Sequence, residues 1–210
     1  MTGTSEAVPR RRLGVMGGTF DPIHNGHLVC AEEACWQFGL DEVIFVPAGQ
    51  PWQKRDVSPA EERYMMTLLA TAPNLRFSVA RIEIDRGGPT YTLDTIRVLR
   101  SFYADRADIF FITGADAVSQ ILTWKDPSAV LDEAHFIAAS RPEYDLSGLD
   151  LDRFEGRVSR MEIPALAISS TDIRRRVAEG RPIRYLVPRE VAAYIEEQGL
   201  YRTYAPEPQA

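Results

Sequence analysis

Cysteine is scarce: two residues among 210, Cys30 and Cys35. Their spacing is not CxxC, and five apart on one amphipathic segment they point in different directions on a helix. They read as two reduced, semi-buried thiols, which fits a reducing cytoplasm. Positive charge is in deficit, with 24 Lys and Arg against 30 Asp and Glu and a formal net charge of −6. An acidic surface argues against generic nucleic-acid binding, though not against a local cationic pocket for phosphates. No apolar run approaches the ~20 residues that span a bilayer, so no membrane association is expected. Arg10-Arg11-Arg12 before Leu13-Gly14-Val15-Met16 only faintly imitates a twin-arginine signal. The apolar stretch stops at Gly17-Gly18-Thr19 and meets Asp21 too soon. Internal repeats are absent, and low complexity is confined to the tail Ala205-Pro-Glu-Pro-Gln-Ala210. With 45% apolar and 26% charged residues, the chain has the composition of a folded globular protein rather than a disordered one.

What is present is an alternation of strand-like and helix-like stretches. Leu13 to Met16, Val43 to Val46, Phe77 to Ile84, Ile109 to Ile112, Phe136 to Ala139 and Val158 to Ile163 read as strands. Helices are expected over Leu28 to Phe38, from the Ser58-Pro59-Ala60-Glu61 capping box to Ala72, over Leu93 to Phe102, and over Ala115 to Leu122. Others follow from Asp126-Pro127, over Ser170 to Ala178, and over Pro188 to Gln198. Gly39, Gly180 and Gly199 mark helix ends. Short, continuously apolar strands separated by helices predict an α/β fold, Rossmann-like and doubly wound, with a mainly parallel sheet and a small C-terminal helical part. No linker demands a second domain. One domain is expected over 11–201, with a core at about 11–141 and a C-terminal part at about 157–201. The polar, acidic stretch Glu143 to Asp152 reads as a surface loop between them.

The first chemical motif joins the end of the first strand to a helix start: Gly17-Gly18-Thr19-Phe20-Asp21-Pro22-Ile23-His24-Asn25-Gly26-His27. In an open parallel sheet, ligands bind at that kind of junction. The glycines let a phosphate or ribose approach the backbone, and the helix start offers unpaired N–H groups to an anion. Neither GxGxxG nor a Gly-Lys-Ser/Thr loop is present. His24 and His27, two of only three histidines, are spaced to share a helix face and to donate to phosphate oxygens. The alternatives at this point are two ordinary surface histidines or a zinc site made from Asp21, His24 and His27.

A second motif, Ile168-Ser169-Ser170-Thr171-Asp172-Ile173-Arg174-Arg175-Arg176, opens a predicted helix. Its hydroxyls and free N–H groups suit phosphate oxygens, with Arg174 one turn further in. The alternative is a capped helix with a solvated basic face. Pro89-Thr90-Tyr91-Thr92 opens another helix whose N–H groups can take a carboxylate, or which is simply capped. Trp124 sits in a strand-end loop, where an exposed indole can stack on a flat ring, unless it is a core aromatic. Lys54, beside Trp52 in the loop after the second strand, is a phosphate candidate or a solvated lysine. Arg141 at the end of the fifth strand is a weaker one.

Gly-Gly-Thr-Phe-Asp-Pro-Ile-His-x-Gly-His resembles the signature of the nucleotidyltransferase superfamily that carries His-x-Gly-His. Within it, the chain from about Leu13 to Tyr201 resembles the bacterial nicotinate-nucleotide adenylyltransferases. That resemblance implies adenylyl transfer from ATP to nicotinate mononucleotide, giving deamido-NAD and pyrophosphate in NAD biosynthesis. It implies Mg²⁺ accompanying ATP and leaves room for a homodimer. By the same resemblance, His24, His27 and Arg174 serve catalysis. Gly17, Gly18, Thr19, Phe20, Asp116, Ser169, Ser170 and Thr171 bind ATP, with Asp116 on the ribose hydroxyls. Tyr91 and Thr92 meet the nicotinate carboxylate, and Trp124 stacks on the pyridine; Lys54, from its loop position, is the candidate for the mononucleotide or ATP phosphates. Arg175 and Arg176 lie outside the pattern and read as surface. A phosphate monoester is largely dianionic at neutral pH, its second pKa being about 6, so the chemistry needs no protein nucleophile. The sequence offers no convincing Ser-His-Asp or Cys-His set. The competing expectations are a sister enzyme acting on phosphopantetheine or a cytidylyl donor, a non-catalytic nucleotide sensor, and a zinc hydrolase.

Overall fold

A computed structural model describes residues 9–51, 56–89, 91–119, 121, 124, 126–140, 154 and 156–204, the side chains of Asp116 and Ser119 aside. Six strands form one sheet: β1 (Arg11–Gly18), β2 (Glu42–Pro47), β3 (Phe77–Val79), β4 (Ala107–Gly114), β5 (His135–Ser140) and β6 (Val158–Glu162). Their order is β3-β2-β1-β4-β5-β6, and every pairing is parallel. This is the Rossmann-like α/β order, in which the chain winds outward in both directions from β1 and β4.

The strands are apolar on both sides because both sides are covered. Leu13, Val15, Ile44, Val46, Ile109, Phe111 and Phe136 point into one core with Leu93, Ile96, Val118 and Val130. Those last four belong to α4 (Thr92–Tyr103), α5 (Ala115–Ser119) and α6 (Pro127–Glu133). The alternate positions Met16, Val43, Phe45, Phe110, Ile112 and Ile137 point the other way, onto Cys30, Ala31, Met66, Ile173, Val191 and Ile195. These come from α1 (Asn25–Phe38), α2 (Ala60–Thr71), α7 (Ser170–Ala178) and α8 (Arg189–Glu197). Both cysteines are free and buried in that second core.

Two local expectations are corrected. The stretch from Phe77 does not run as a strand to Ile84: β3 stops at Val79, and α3 (Ile82–Arg86) follows. The alternation suggested a strand. Arg81 instead forks onto Glu61 at 2.7 Å and Asp85 at 3.1 Å, the latter an i,i+4 helical pair. Glu83 turns inward and accepts the Thr95 hydroxyl at 2.6 Å. Nor does the Ser58 capping box close. Pro59 takes the N-cap position with no side-chain cap, because Ser58 is drawn into the buried network described below. The region 141–153, including the acidic stretch, lies outside the described residues.

Candidate active site

The strand order reverses between β1 and β4, so the crevice at their C-terminal ends is where an open α/β sheet binds ligands. Gly17 and Gly18 end β1 there, and Gly114 ends β4. The chain then turns through Phe20, at φ +51, and a cis Asp21–Pro22 bond into α1, whose N-cap is His24.

The two motif histidines are stacked, with ring centroids 3.7 Å apart. The His24 backbone N–H donates to His27 Nδ1 at 3.2 Å. Nδ1 therefore accepts, and the His27 ring proton sits on Nε2. The glycine between them has a steric cause: a Cβ on Gly26 would lie 3.0 Å from His24 Nδ1. Phe20 meets the His27 ring edge-on at 5.2 Å.

The second motif is brought to the same place from 148 positions further along the chain. Ser170 Oγ donates to the Pro22 carbonyl at 2.9 Å. Arg174 Nη1 donates to the Asp21 carbonyl at 2.6 Å, and its guanidinium lies over the Tyr204 ring, 4.6 Å from the centroid. Ser169 Oγ caps α7 by accepting the Asp172 N–H at 3.1 Å. The Ser169 and Ser170 hydroxyls thus serve the fold first, and the α7 N-terminus presents its backbone N–H groups beside the first loop. Arg176, half-buried, pairs with Asp172 at 2.6 Å, and the exposed Arg175 pairs with the same carboxylate, a surface ion-pair cluster apart from the first loop.

Beneath the loop is a buried polar network that sequence reasoning missed. Arg63, on α2, is 1% exposed. Its guanidinium donates to the carbonyls of Thr19 at 2.8 Å, Ser58 at 2.9 Å and Gly49 at 3.1 Å. Burial pulls its pKa down, against the opposing charges of Asp21, Tyr201 and Glu83. Asp21 is 4% exposed. Its carboxylate accepts the Tyr201 hydroxyl at 2.7 Å and the Ser58 N–H at 3.2 Å, and Arg174 Nη1 stands 4.0 Å away. Burial and the Asp21 charge push the Tyr201 phenol well above its ordinary range. Both Asp21 oxygens are engaged in these contacts, and the two histidine rings are stacked on each other. Among the described residues no group of three or more His, Cys, Asp or Glu side chains can hold a metal ion.

On the other flank, the segment after β2 bridges to the start of α4 through Gln50 and Pro89. Ala48 N–H donates to the Gly18 carbonyl at 2.8 Å, tying that segment to the first loop. Tyr91 is the N-cap of α4, and Thr92 is its first residue. Trp124 is half-buried rather than exposed. Its ring meets Phe136 at 6.1 Å, edge to face, on the rim of the first core. Asp116 lies on α5, directly after β4. Trp52, Lys54, Thr90 and Arg141 lie outside the described residues.

The cytidylyltransferase-like family model matches residues 15–176, and the chain belongs to that family. A Streptomyces coelicolor protein named "Probable nicotinate-nucleotide adenylyltransferase" is 61% identical over 189 residues, covering 89% of this chain and 99% of that one. One of the same name from Clavibacter michiganensis is 57% identical over 200 residues, covering 95% and 98%. The chain is thus a member of the nicotinate-nucleotide adenylyltransferases, which are nucleotidyltransferase enzymes. The Plasmodium falciparum nicotinic acid mononucleotide adenylyltransferase, solved with APC and with NaAD, superposes with a TM-score of 0.77 in each case. It covers 92% of this chain and 98% of its own, at 18% and 19% identity. At that identity the likeness is one of fold. No helix among the described residues is long and apolar enough to cross a membrane.

Proposed function

We propose that the protein transfers the adenylyl group of MgATP to nicotinate mononucleotide, releasing pyrophosphate and forming deamido-NAD for NAD biosynthesis. The observation that carries this reading is the meeting of the His24–His27 turn and the Ser169–Arg174 turn at the β1/β4 switch point, joined by Ser170 to Pro22 and Arg174 to Asp21. Two N–H-rich turns with an arginine between them suit a triphosphate.

In this reading a phosphate oxygen of nicotinate mononucleotide forms a bond to the α-phosphorus of ATP. The bond from that phosphorus to the oxygen bridging to the β-phosphorus breaks, and the electron pair leaves with pyrophosphate. The nucleophile is already ionised, so the protein positions the groups and stabilises charge. His27 donates Nε2–H to the phosphate that develops charge. His24, Arg174 and the amides of Gly17, Gly18, Thr19 and Phe20 complete the donor set. The N–H groups of Ser169, Ser170 and Thr171 approach from the opposite side. Bound with ATP, Mg²⁺ would supply neutralisation of phosphate charge, the nucleotide rather than a cage of side chains being its main holder. Asp116 takes the ribose hydroxyls. The α4 N-terminus at Tyr91 and Thr92 takes the nicotinate carboxylate, and Lys54 takes phosphate, with Arg141 as a weaker partner. Trp124 offers its remaining open face to the pyridine. The reading extends to one domain over 11–201 and to work in the cytoplasm, and it leaves room for a homodimer.

The test is pyrophosphate release from MgATP with nicotinate mononucleotide, nicotinamide mononucleotide or phosphopantetheine as acceptor. Turnover with the nicotinate compound alone is expected. Turnover with phosphopantetheine would discard the roles of Tyr91, Thr92 and Trp124, and ATP binding without turnover would leave a nucleotide sensor. His27→Ala should lower kcat by about a hundredfold or more, the usual loss for one charge-stabilising donor.

A further inference from the structure

The chain beyond α8 returns to the phosphate site. Leu200 N–H donates to the Ile195 carbonyl at 3.0 Å, and Tyr204 N–H closes a turn on the Tyr201 carbonyl at 3.1 Å. Tyr201 takes φ +64 in that turn. The turn places two phenols against one loop. The Tyr201 hydroxyl donates to the Asp21 carboxylate at 2.7 Å. The Tyr204 hydroxyl accepts from Arg174 Nη2 at 3.2 Å, while its ring lies under the same guanidinium, 4.6 Å away.

Arg174 needs that support. Its side chain is 16% exposed, and Nη2 also reaches Thr171 Oγ1 at 3.4 Å. Its Nε–H is buried and has no hydrogen-bond partner among the described residues. A buried donor without a partner opposes the conformation that creates it. The rotamer is therefore held by the Asp21 carbonyl at one end and by Tyr204 at the other. The Asp21 carbonyl belongs to the loop that Tyr201 itself pins. Three of the five guanidinium N–H groups are used within the protein, and the rest of the fork stays directed by those contacts.

We infer that Tyr204 is a positioning residue for adenylyl transfer, fixing the guanidinium of Arg174 through its ring and hydroxyl, with Tyr201 anchoring the loop on which that guanidinium rests. This rests on the reading of Arg174 as a phosphate-binding residue.

The experiment is steady-state kinetics on the full chain for Tyr204→Leu, Tyr204→Phe, Arg174→Ala and the double variant Arg174→Ala/Tyr204→Leu, with melting temperatures measured alongside. Tyr204→Leu should raise KM for MgATP about three- to tenfold, the range of a partly desolvated cation–π contact. It should leave KM for nicotinate mononucleotide within about twofold, a split that general loosening of the fold would not give. Tyr204→Phe keeps the ring and should recover most of the loss. In the Arg174→Ala background, Tyr204→Leu should add no further defect. Unchanged MgATP kinetics in Tyr204→Leu with impaired Arg174→Ala would overturn the inference. So would a lowered KM, which would mean that Tyr204 withholds the arginine instead of presenting it. Full additivity in the double variant would overturn it as well. Should Tyr204→Leu not fold, Tyr204→Phe against Tyr204→His carries the same comparison of ring and hydroxyl. Unchanged kinetics in Arg174→Ala itself would instead refute the underlying reading of Arg174.

Discussion

Replacing Arg63 by methionine keeps the bulk of the side chain and removes its charge and donors. Three backbone carbonyls, those of Thr19, Ser58 and Gly49, lose their guanidinium partner at once, and the buried Asp21 carboxylate loses a nearby cation. Hydrogen bonds to a charged group contribute roughly 1.5–3 kcal/mol each, so three amount to a gross term of about 4.5–9 kcal/mol. Burying the guanidinium offsets several kcal/mol of that, and methionine escapes this cost. The residue is then the usual penalty for breaking a buried charged network, about 3–5 kcal/mol. A domain of ordinary stability, about 5–15 kcal/mol, would lose a large share. Arg63→Lys should fall in between, since an ammonium is a point charge that cannot reproduce a planar fork reaching three carbonyls. The assay is equilibrium urea unfolding followed by far-UV circular dichroism. If both variants lie within about 1 kcal/mol of the parent chain, the network does not hold the loops together and the reasoning fails.

Gly49→Ala should be destabilising by about 1–3 kcal/mol, because its Cβ would sit 2.3 Å from the Glu83 carbonyl oxygen and 2.8 Å from its carbon; an unchanged unfolding midpoint would show that α3 yields there. His135 is held below its ordinary value by burial, with Arg12 and Arg157 adding to it. Its contribution is therefore fully present above about pH 6.5 and is lost as pH falls through the lower folded value. The melting temperature should drop more steeply from pH 7.5 to 5 in the parent chain than in His135→Gln, and parallel curves would contradict this. Burial and Glu33 push the Cys30 thiol up to about 12, and burial also raises Cys35. A disulfide reagent at pH 8 should find neither thiol in the native protein and both in denaturant; prompt native reaction would refute their burial.

The sheet was legible because a strand covered on both faces must be apolar throughout. Val43 to Val46, Ile109 to Ile112 and Phe136 to Ala139 announce themselves by composition alone. The turn from Gly17 to His27 stood out for a different reason: its glycines and histidines are types that few structural tasks demand at that spacing. Phe77 to Ile84 misled because two apolar residues in alternation fit a strand as well as a short helix, and the Glu83–Thr95 contact that decides between them is long-range. Arg63 left no signal at all. It stands after Glu61 and Glu62 on a charged stretch, and its partners are main-chain carbonyls, which no letter of the sequence encodes. Tyr201 and Asp21 are 180 positions apart; the one local hint was a pair of tyrosines just past the helix-ending Gly199.

That silent arginine bears directly on the chemistry of the loop it supports. A trans peptide sets its C=O and N–H on opposite sides of the chain. With the Thr19 carbonyl turned inward to Arg63, the Phe20 N–H of the same peptide faces away from the guanidinium. The Gly18 carbonyl is likewise taken by Ala48 N–H, which turns the Thr19 N–H away from the β2 side. Amides that stabilise developing charge are effective when their orientation is fixed before the substrate arrives. On the proposed reading, holding the Thr19 and Gly18 carbonyls would fix the orientation of these amides before substrate arrives. On the same reading, the buried cation would also let Asp21 stay close to a phosphate site, because the charges of Arg63 and Arg174 oppose its own. The carboxylate then serves to hold Tyr201 and Ser58 rather than to repel phosphate.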